Sequence, residues 1–188
     1  LARSKPGLPA AVRVGRLLDW LGLAGTPRSN IHLVEGRLDH PGLGLEPPAA
    51  EALAERVDEI IHCASSTSFA ERKRGEVEAV NLDGLGRVLD LAGGSACRRF
   101  HLISTVYVAG RTSGPCPEEL VRPAAFTNVY EETKCRAEWL AAERCSARGI
   151  RLTVHRPSIV YGHSETGRSL LFNALYYPVR TALFLKRL

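Results

Sequence analysis

The pattern of apolar and polar residues divides the chain into alternating helices and strands. Four segments are predicted to form helices: 10–23, 49–56, 76–92 and 128–148. Four shorter apolar runs are predicted to form strands: 31–34, 57–63, 100–108 and 150–155. Strands that are nearly continuous in apolar residues and separated by helices are typical of a parallel sheet covered on both faces. We therefore predict an α/β fold with a doubly wound, Rossmann-type parallel sheet.

The composition is that of a globular protein, and the distribution of charge limits the kinds of partner that we expect. The 188 residues are 45% hydrophobic and 24% charged, which is enough to build the core of one domain. The net charge of +5 comes mostly from arginine and is spread along the chain, which argues against a nucleic-acid-binding protein. A solvated arginine-rich surface accounts for this charge, and a cofactor that carries phosphate groups would also suit it.

The cysteines and the apolar C-terminal stretch bear on where the protein resides. The five cysteines form no C-x-x-C pair and have no histidines at metal-ligand spacing, so we expect reduced thiols, no bound metal and a cytoplasmic location. The stretch 170–188 is interrupted by four residues that oppose a membrane span, namely Asn173, Pro178, Arg180 and Lys186. We predict a helix of a further region there and no transmembrane span.

The beginning of the chain lacks a feature that the predicted fold requires. A doubly wound sheet that binds a dinucleotide carries a glycine-rich turn after its first strand, and no G-x-G-x-x-G or G-x-x-G-x-x-G occurs. The chain also contains no methionine and begins at Leu1. We therefore expect that the first βα unit is missing and that residues 1–3 end the second strand. On this interpretation the isolated 188 residues are inactive.

Tyr130 and Lys134 form the candidate catalytic pair. They lie four residues apart in a predicted helix, which places both side chains on one face. An ammonium beside a phenol favours the phenolate, so we expect the pKa of Tyr130 to be lowered from about 10 towards neutrality. Such a tyrosine can exchange a proton with a carbonyl oxygen. Thr105, at the end of a predicted strand, would add a hydroxyl where open α/β sheets bind ligands; alternatively, Ser104 and Thr105 only satisfy local backbone groups.

Several motifs, in register over nearly the whole chain, resemble those of the extended short-chain dehydrogenase/reductases. Three of them surround the candidate pair: Ser104-Thr105-x-Tyr107-Val108, Tyr130-x-x-x-Lys134 and Arg156-Pro157-Ser158-Ile159-Val160. Four further segments are similar to the thioester-reductase and fatty-acyl-reductase branch, the male sterility type: Pro41-x-Leu43-Gly44-Leu45, His62-Cys63-Ala64-Ser65-x-x-x-Phe69, Asn81-Leu82-Asp83-Gly84 and Ser164-Glu165-Thr166-Gly167. The resemblance implies that residues 1–188 are part of one NAD(P)-binding domain, with the substrate-binding region starting at about residue 168.

The resemblance also implies roles for individual residues. Thr105, Tyr130 and Lys134 match the catalytic triad, with Ser104 as the neighbouring hydroxyl, and Lys134 is also expected to hold the nicotinamide ribose. Asn81 matches an asparagine that supports the site from a helix, although it would also serve as a helix cap.

Cofactor-binding positions follow from the same resemblance. Besides Tyr130 and Lys134 they are Arg3, Leu38, Ala64, Ser65, Pro157 and Ser158. Arg3 matches an arginine that pairs with a 2′-phosphate, which a guanidinium can engage through two hydrogen bonds. The resemblance therefore favours NADPH, with NADH as the alternative; otherwise Arg3 is an ordinary surface residue.

One departure from the family pattern concerns the adenine. The family usually has Gly-Asp-Leu where this chain has Gly36-Arg37-Leu38, and an arginine cannot accept a hydrogen bond from the adenine amine. Asp39, two residues on, is the candidate substitute, but we expect a shifted side chain to face the other way in an extended strand.

The remaining aromatic and histidine residues are assigned from their positions. His62, His101 and His155 lie on or beside predicted strands and are interpreted as structural. Phe69 and Tyr107 either line a substrate channel or pack in the core.

These inferences give a leading function and two alternatives. The leading hypothesis is NADPH-dependent reduction of an acyl thioester, on coenzyme A or a carrier protein, to an aldehyde or alcohol. An NAD(P)-dependent sugar epimerase, dehydratase or hydroxysteroid-type dehydrogenase would use the same triad. A non-catalytic module that binds a nucleotide or a partner protein is the alternative of another class. The acyl group and the oligomeric state are left open.

Overall fold

The computed structural model describes residues 1–23, 30–170 and 176–186. The described helices are α1 (Ala10–Trp20), α2 (Pro47–Arg56), α3 (Arg74–Glu78), α4 (Gly84–Gly93), α5 (Val129–Ala147) and α6 (Tyr176–Leu185). The described strands are β1 (Glu59–His62), β2 (Arg99–Ile103) and β3 (Arg151–His155). Helices and strands alternate as the sequence predicts.

The three strands form one parallel sheet in the order β1-β2-β3. The register pairs Ile60 with Phe100, and Phe100 with Leu152. These three side chains point to the same face of the sheet, where apolar residues of α4 and α5 pack against them. A parallel sheet with helices from the intervening segments is the predicted Rossmann-type arrangement.

The opposite face of the sheet carries polar side chains. Glu59, His101 and His155 come from the three successive strands and are linked in a row: His101 lies 2.7 Å from the carboxylate of Glu59 and 3.0 Å from the ring nitrogen of His155. These histidines are therefore hydrogen-bonded structural groups, as interpreted from the sequence. Of the described helices, α4 and α5 cover the other face, so the expectation of two apolar faces is met on one side only.

The segment predicted as a strand at 31–34 is not one. Ile31 and Leu33 are exposed, and the only pairing there is a single parallel bridge between Ala2 and Glu35 within the described ranges. Ala2 thus pairs as the end of a strand would. A four-residue apolar run is too short to specify a strand unless a neighbouring strand and a packed face support it.

The helix predicted over 76–92 contains a wide turn. Residues Ala79–Asp83 adopt a π-helical conformation between α3 and α4, and the buried residue Asn81 lies in that turn. Such turns occur often at functional sites because they redirect a side chain. The predicted strand 100–108 is also shorter than expected: it ends at Ile103, and Val106–Ala109 forms a 3₁₀ turn capped by Thr105.

No described helix is long and apolar enough to cross a membrane. The predicted C-terminal helix is present as α6, and its side chains Tyr177, Leu183 and Phe184 are exposed. The other part of that prediction, residues 171–175 and 187–188, lies outside the described residues.

The first turn of α5 is fixed by a reciprocal cap. The Asn128 side chain accepts a hydrogen bond from the backbone N–H of Glu131 (3.1 Å), and the Glu131 carboxylate accepts one from the N–H of Thr127 (2.9 Å). Because Tyr130 lies in this turn, the cap sets where its ring emerges. We expect Asn128→Ala to lower the free energy of unfolding by about 1 kcal/mol in urea denaturation. Asn128→Ser keeps a capping oxygen and should lose less than half of that; equal losses would contradict this role.

Candidate active site

The candidate site lies at the carboxyl ends of β2 and β3. Beyond these ends the two segments of backbone remain hydrogen-bonded to each other. Ser104 donates its N–H to the carbonyl of His155 (2.7 Å), and Val106 donates its N–H to the carbonyl of Pro157 (3.1 Å). Thr105 lies between these two bonds and is buried. Its hydroxyl oxygen accepts a bond from the N–H of Tyr107 (3.3 Å). The hydroxyl is therefore held at the sheet edge where open α/β sheets bind ligands.

Tyr130 approaches Thr105 from helix α5. Its side chain is half-buried, and burial raises its pKa, while a hydrogen bond with the Thr105 hydroxyl acts in the opposite direction. The expectation that Lys134 lowers the pKa of Tyr130 is therefore wrong for this structure. The balance favours the neutral phenol at physiological pH. A neutral phenol is the form that donates a proton.

Lys134 lies one helical turn after Tyr130 and is 3% exposed. Its ammonium donates a hydrogen bond to the carbonyl of Ile103, the last residue of β2 (2.6 Å). Burial lowers the pKa of Lys134 to about 8, although the Glu138 carboxylate opposes this shift. Lys134 therefore places a positive charge with two unused N–H donors close to the end of the sheet.

Asn81 joins the loop after β1 to α5. Its side-chain oxygen accepts bonds from the N–H of Ser66 (2.7 Å) and the hydroxyl of Ser65 (3.1 Å). Its amide nitrogen donates to the carbonyl of Ser66 (3.1 Å) and to the hydroxyl of Thr133 (3.0 Å). Thr133 lies between Tyr130 and Lys134 in sequence, so Asn81 supports the site as the resemblance implied. The alternative role as a helix-start cap is wrong, because Asn81 lies within the wide turn.

One buried ionic group of the site was not predicted from the sequence. Glu138 is fully buried on α5, and its carboxylate accepts hydrogen bonds from the Ser104 hydroxyl (2.5 Å) and from two nitrogens of Arg156 (3.0 and 2.7 Å). The signal was available: Glu138 lies four residues after Lys134, so a helix that turns Lys134 inward turns Glu138 inward too.

His62 lies beside Lys134 at the end of β1. Burial, followed by the nearby charge of Lys134, lowers its pKa to about 4. The unfolded chain binds this proton at about pH 6.5, so stability is lost as the pH falls from about 6.5 to about 4. We expect a loss of about 3 kcal/mol across that range for this 6% exposed residue.

Urea denaturation at a series of pH values measures this loss. His62→Gln should flatten the acid limb, whereas the exposed control His32→Gln should follow the unmodified protein. An acid limb that is equally steep in all three proteins would contradict burial of a neutral His62.

The structure gathers most of the proposed cofactor positions at one edge. Ala64 and Ser65 follow β1, and Pro157 and Ser158 follow β3, on either side of the segment that follows β2. Leu38 differs, because its side chain packs on α4 next to Gly84, and its carbonyl accepts a bond from Arg87 (2.7 Å).

Arg3 lies near the paired start of the chain. It is exposed, and its carbonyl oxygen accepts a hydrogen bond from Arg13. Arg3 is therefore a surface residue whose backbone is held by a second arginine.

Asp39 and Arg37 are not on opposite sides of a strand. The segment is a turn, closed by the N–H of His40 bonding the carbonyl of Arg37 (3.2 Å). The guanidinium and the carboxylate meet in two hydrogen bonds of 3.1 and 2.8 Å, and this pairing holds the pKa of Asp39 well below its usual range. The expectation that these side chains face apart is therefore wrong, and residues two apart would share a face even in an extended strand.

Phe69 and Tyr107 flank Tyr130 on the solvent side. The rings of Phe69 and Tyr130 have centroids 5.5 Å apart, yet Phe69 is 56% exposed and Tyr107 is 39% exposed. Core packing is therefore excluded for both, and they form an apolar wall next to the catalytic candidate.

Taken together, these features describe a Rossmann-type domain with Thr105, Tyr130 and Lys134 at the carboxyl edge of its parallel sheet. A family model described as male sterility protein, an NAD-binding domain, matches residues 1–187. The chain belongs to this family.

Three individual proteins are similar to most of this chain, and two of them have reductase in their names. Glycine betaine reductase ATRR of Emericella nidulans is 31% identical over 177 residues, which span 91% of this chain and 14% of ATRR. The crystal structure of the terminal R domain from the myxalamid PKS-NRPS pathway is 27% identical with a TM-score of 0.83, and the match covers 98% of this chain and 47% of that one. A thiolation-reductase di-domain from an archaeal non-ribosomal peptide synthetase has the same fold at 18% identity (TM-score 0.70; 92% and 48% covered). The chain thus spans less than half of each of these proteins.

Proposed function

We propose that this protein reduces a carrier-bound acyl thioester to an aldehyde with NADPH. The observation that carries the proposal is the buried Thr105 hydroxyl beside the Tyr130 side chain, with the Lys134 ammonium one turn away. Two hydroxyls and a positive charge at one sheet edge suit a carbonyl oxygen that becomes negative during the reaction. Similarity to an R domain of a PKS-NRPS pathway supports a carrier-bound substrate over free acyl-coenzyme A.

The residues at the sheet edge suit a nicotinamide cofactor. Asn81 holds the Ser65–Ser66 backbone in place, and Lys134 has two N–H groups left for hydroxyls of a ribose. We assign Ala64, Ser65, Pro157 and Ser158 to the lining of this site, and Leu38 through its backbone. When bound, NADPH supplies the hydride that the reduction requires.

The roles of the side chains follow from their protonation. Thr105 and Tyr130 donate hydrogen bonds to the thioester carbonyl oxygen and stabilise the negative charge that develops there. Tyr130, whose raised pKa keeps the phenol protonated, gives a proton as the oxyanion forms, and Lys134 adds a positive charge at the same edge of the sheet. Cleavage of the carbon–sulfur bond then releases the aldehyde and the carrier thiol. The net reaction consumes one thioester, one NADPH and one proton.

The test uses the complete reading frame that encodes this chain. NADPH absorbance is followed with one acyl group presented on a carrier protein, on coenzyme A and on no carrier, and with a UDP-sugar as a probe of the epimerase alternative. We expect the carrier thioester to be reduced fastest and an aldehyde to appear. NADPH binding without turnover would favour a non-catalytic module, and conversion of the UDP-sugar would favour an epimerase.

Arg3 is proposed to select the phosphorylated cofactor. Its exposed guanidinium can form a bidentate, charge-assisted pair with a 2′-phosphate. We expect Arg3→Ala to weaken NADPH binding about 10-fold or more and to leave NADH binding unchanged. Titration of both cofactors measures this, with the exposed Arg16→Ala as the control. Equal weakening of both cofactors would contradict this role.

A further inference from the structure

One buried carboxylate connects the three segments that carry the site. Glu138 is 0% exposed, and its two oxygens accept three side-chain hydrogen bonds. The Ser104 hydroxyl and the Arg156 Nε bond one oxygen, and a terminal nitrogen of Arg156 bonds the other. Charge-assisted bonds of this kind are short and directional, so they fix their partners more firmly than neutral ones.

Each partner of Glu138 is the immediate neighbour of a site residue. Ser104 precedes Thr105, and Arg156 precedes Pro157, while Glu138 itself lies one turn after Lys134. A shift of the carboxylate would therefore move the ends of β2 and β3 relative to α5. Thr105, after β2, and Tyr130, on α5, lie on the two sides of that same junction.

Arg156 extends the network to the loop that precedes α5. Its terminal nitrogens donate to the carbonyls of Pro117 (3.1 Å) and Glu119 (2.7 Å) as well as to Glu138. The guanidinium thus donates hydrogen bonds both to Glu138 and to the loop, and these bonds hold the loop against the edge of the sheet.

Stability alone does not explain a charge pair in this position. Apolar residues of similar volume often replace buried ion pairs without loss of stability, whereas the pair imposes one geometry on its partners. The geometry imposed here is that of the catalytic group.

Glu138 also acts on the charge of Lys134. Among the described residues, the groups that act on Lys134 are Glu138 from its own helix, His62 and Cys63 from the end of β1, and the carbonyl of Ile103 from β2. The Glu138 carboxylate raises the pKa of Lys134 and so opposes the effect of burial.

We propose that Glu138 is a positioning residue that holds the ends of β2 and β3 against α5, so that the Thr105 and Tyr130 hydroxyls meet at one substrate oxygen. This proposal rests on the reductase function argued above. It assigns a role to a residue that touches neither substrate nor cofactor.

Three variants of the full-length protein distinguish the effect of the position of the Glu138 carboxylate from the effect of its charge. Glu138→Gln removes the charge and one acceptor; Glu138→Asp keeps the charge but draws the oxygens back by one methylene; Ser104→Ala removes one bond and leaves the charge. The exposed Glu143→Gln, on the same helix, is the matched control. Thermal unfolding with and without NADPH identifies any variant that fails to fold.

The expected results differ for each variant. Glu138→Gln and Glu138→Asp should lower kcat about 10- to 100-fold, because a small displacement of reacting groups is enough for such a loss. The KM for NADPH should change less than about twofold, and Ser104→Ala should lose several-fold in kcat. Only Glu138→Gln should move the alkaline limb of the pH–kcat profile to lower pH, because only it removes the charge that keeps Lys134 protonated.

A second readout does not depend on turnover. Lysine labelled at Cε reports the titration of Lys134 by NMR, and the midpoint should fall in Glu138→Gln and stay in place in Ser104→Ala. Failure of the unmodified protein to reduce any thioester would remove the proposed function and leave this titration interpretable. A folded Glu138→Gln with unchanged kcat, or with an unchanged lysine midpoint and a loss confined to thermal stability, would overturn the positioning role.

Discussion

Tyr130→Phe is expected to lower kcat for NADPH-dependent reduction by about 10²- to 10⁴-fold, the usual contribution of a positioned proton donor. The substitution removes the hydroxyl that bonds Thr105 and keeps the aromatic ring that packs against Phe69. Binding and folding should therefore be preserved. Stopped-flow or steady-state NADPH absorbance, in the complete protein with its thioester substrate, measures the loss.

The control for this prediction is the cofactor itself. NADPH affinity and the thermal midpoint of Tyr130→Phe should match those of the unmodified protein, because the ring contact is retained. If kcat falls less than about threefold, Tyr130 is not the proton donor, and the Thr105 hydroxyl or a bound water would have to supply the proton.

Lys134→Met is expected to produce opposite changes in activity and stability. Removing the ammonium should lower kcat by about 10² or more, since the site loses a positive charge close to the carbonyl oxygen that becomes negative. The same change removes a buried charge whose folded-state pKa is about 8 and whose unfolded value is 10.5. At pH 7 that burial costs about 3 kcal/mol, and the lost bond to Ile103 offsets about 1–2 kcal/mol of the gain. Net stability should rise by about 1–2 kcal/mol.

The pH dependence identifies the cause of that gain. Because the folded state releases the Lys134 proton more readily than the unfolded chain, stability should rise from about pH 8 to pH 10.5 in the unmodified protein. The rise should be absent in Lys134→Met. Lys73→Met, at a residue whose side chain is 43% exposed, is the matched control and should stay within about 0.5 kcal/mol. A destabilised Lys134→Met would show that the Ile103 bond outweighs desolvation.

The sequence was most informative where a pattern is local. The shared face of Tyr130 and Lys134 and the strand around Ile60 each depend on spacing within one or two turns or a few residues, and the structure has both. Thr105 was placed correctly at the end of a strand for the same reason.

The features that escaped sequence analysis depend on distant contacts. Glu138 can be recognised as the centre of a hydrogen-bond network only once the fold brings Ser104 and Arg156 to it from the ends of β2 and β3. The wide turn at Ala79–Asp83 keeps a helical pattern in the sequence, so periodicity alone cannot reveal it.

The parallel pairing of β1, β2 and β3 also has a kinetic consequence. Contacts across the sheet join residues far apart in sequence: 40 positions between Glu59 and Arg99, and 54 between His101 and His155. Such pairings form slowly, because a long loop must close before the contacts stabilise it. Helix α5 can form early from its own cap and local bonds, but its catalytic face has no partner until β2 and β3 have joined. During refolding, helical signal should therefore precede enzymatic activity, and activity should appear together with protection of the Ser104 amide, which bonds the end of β3.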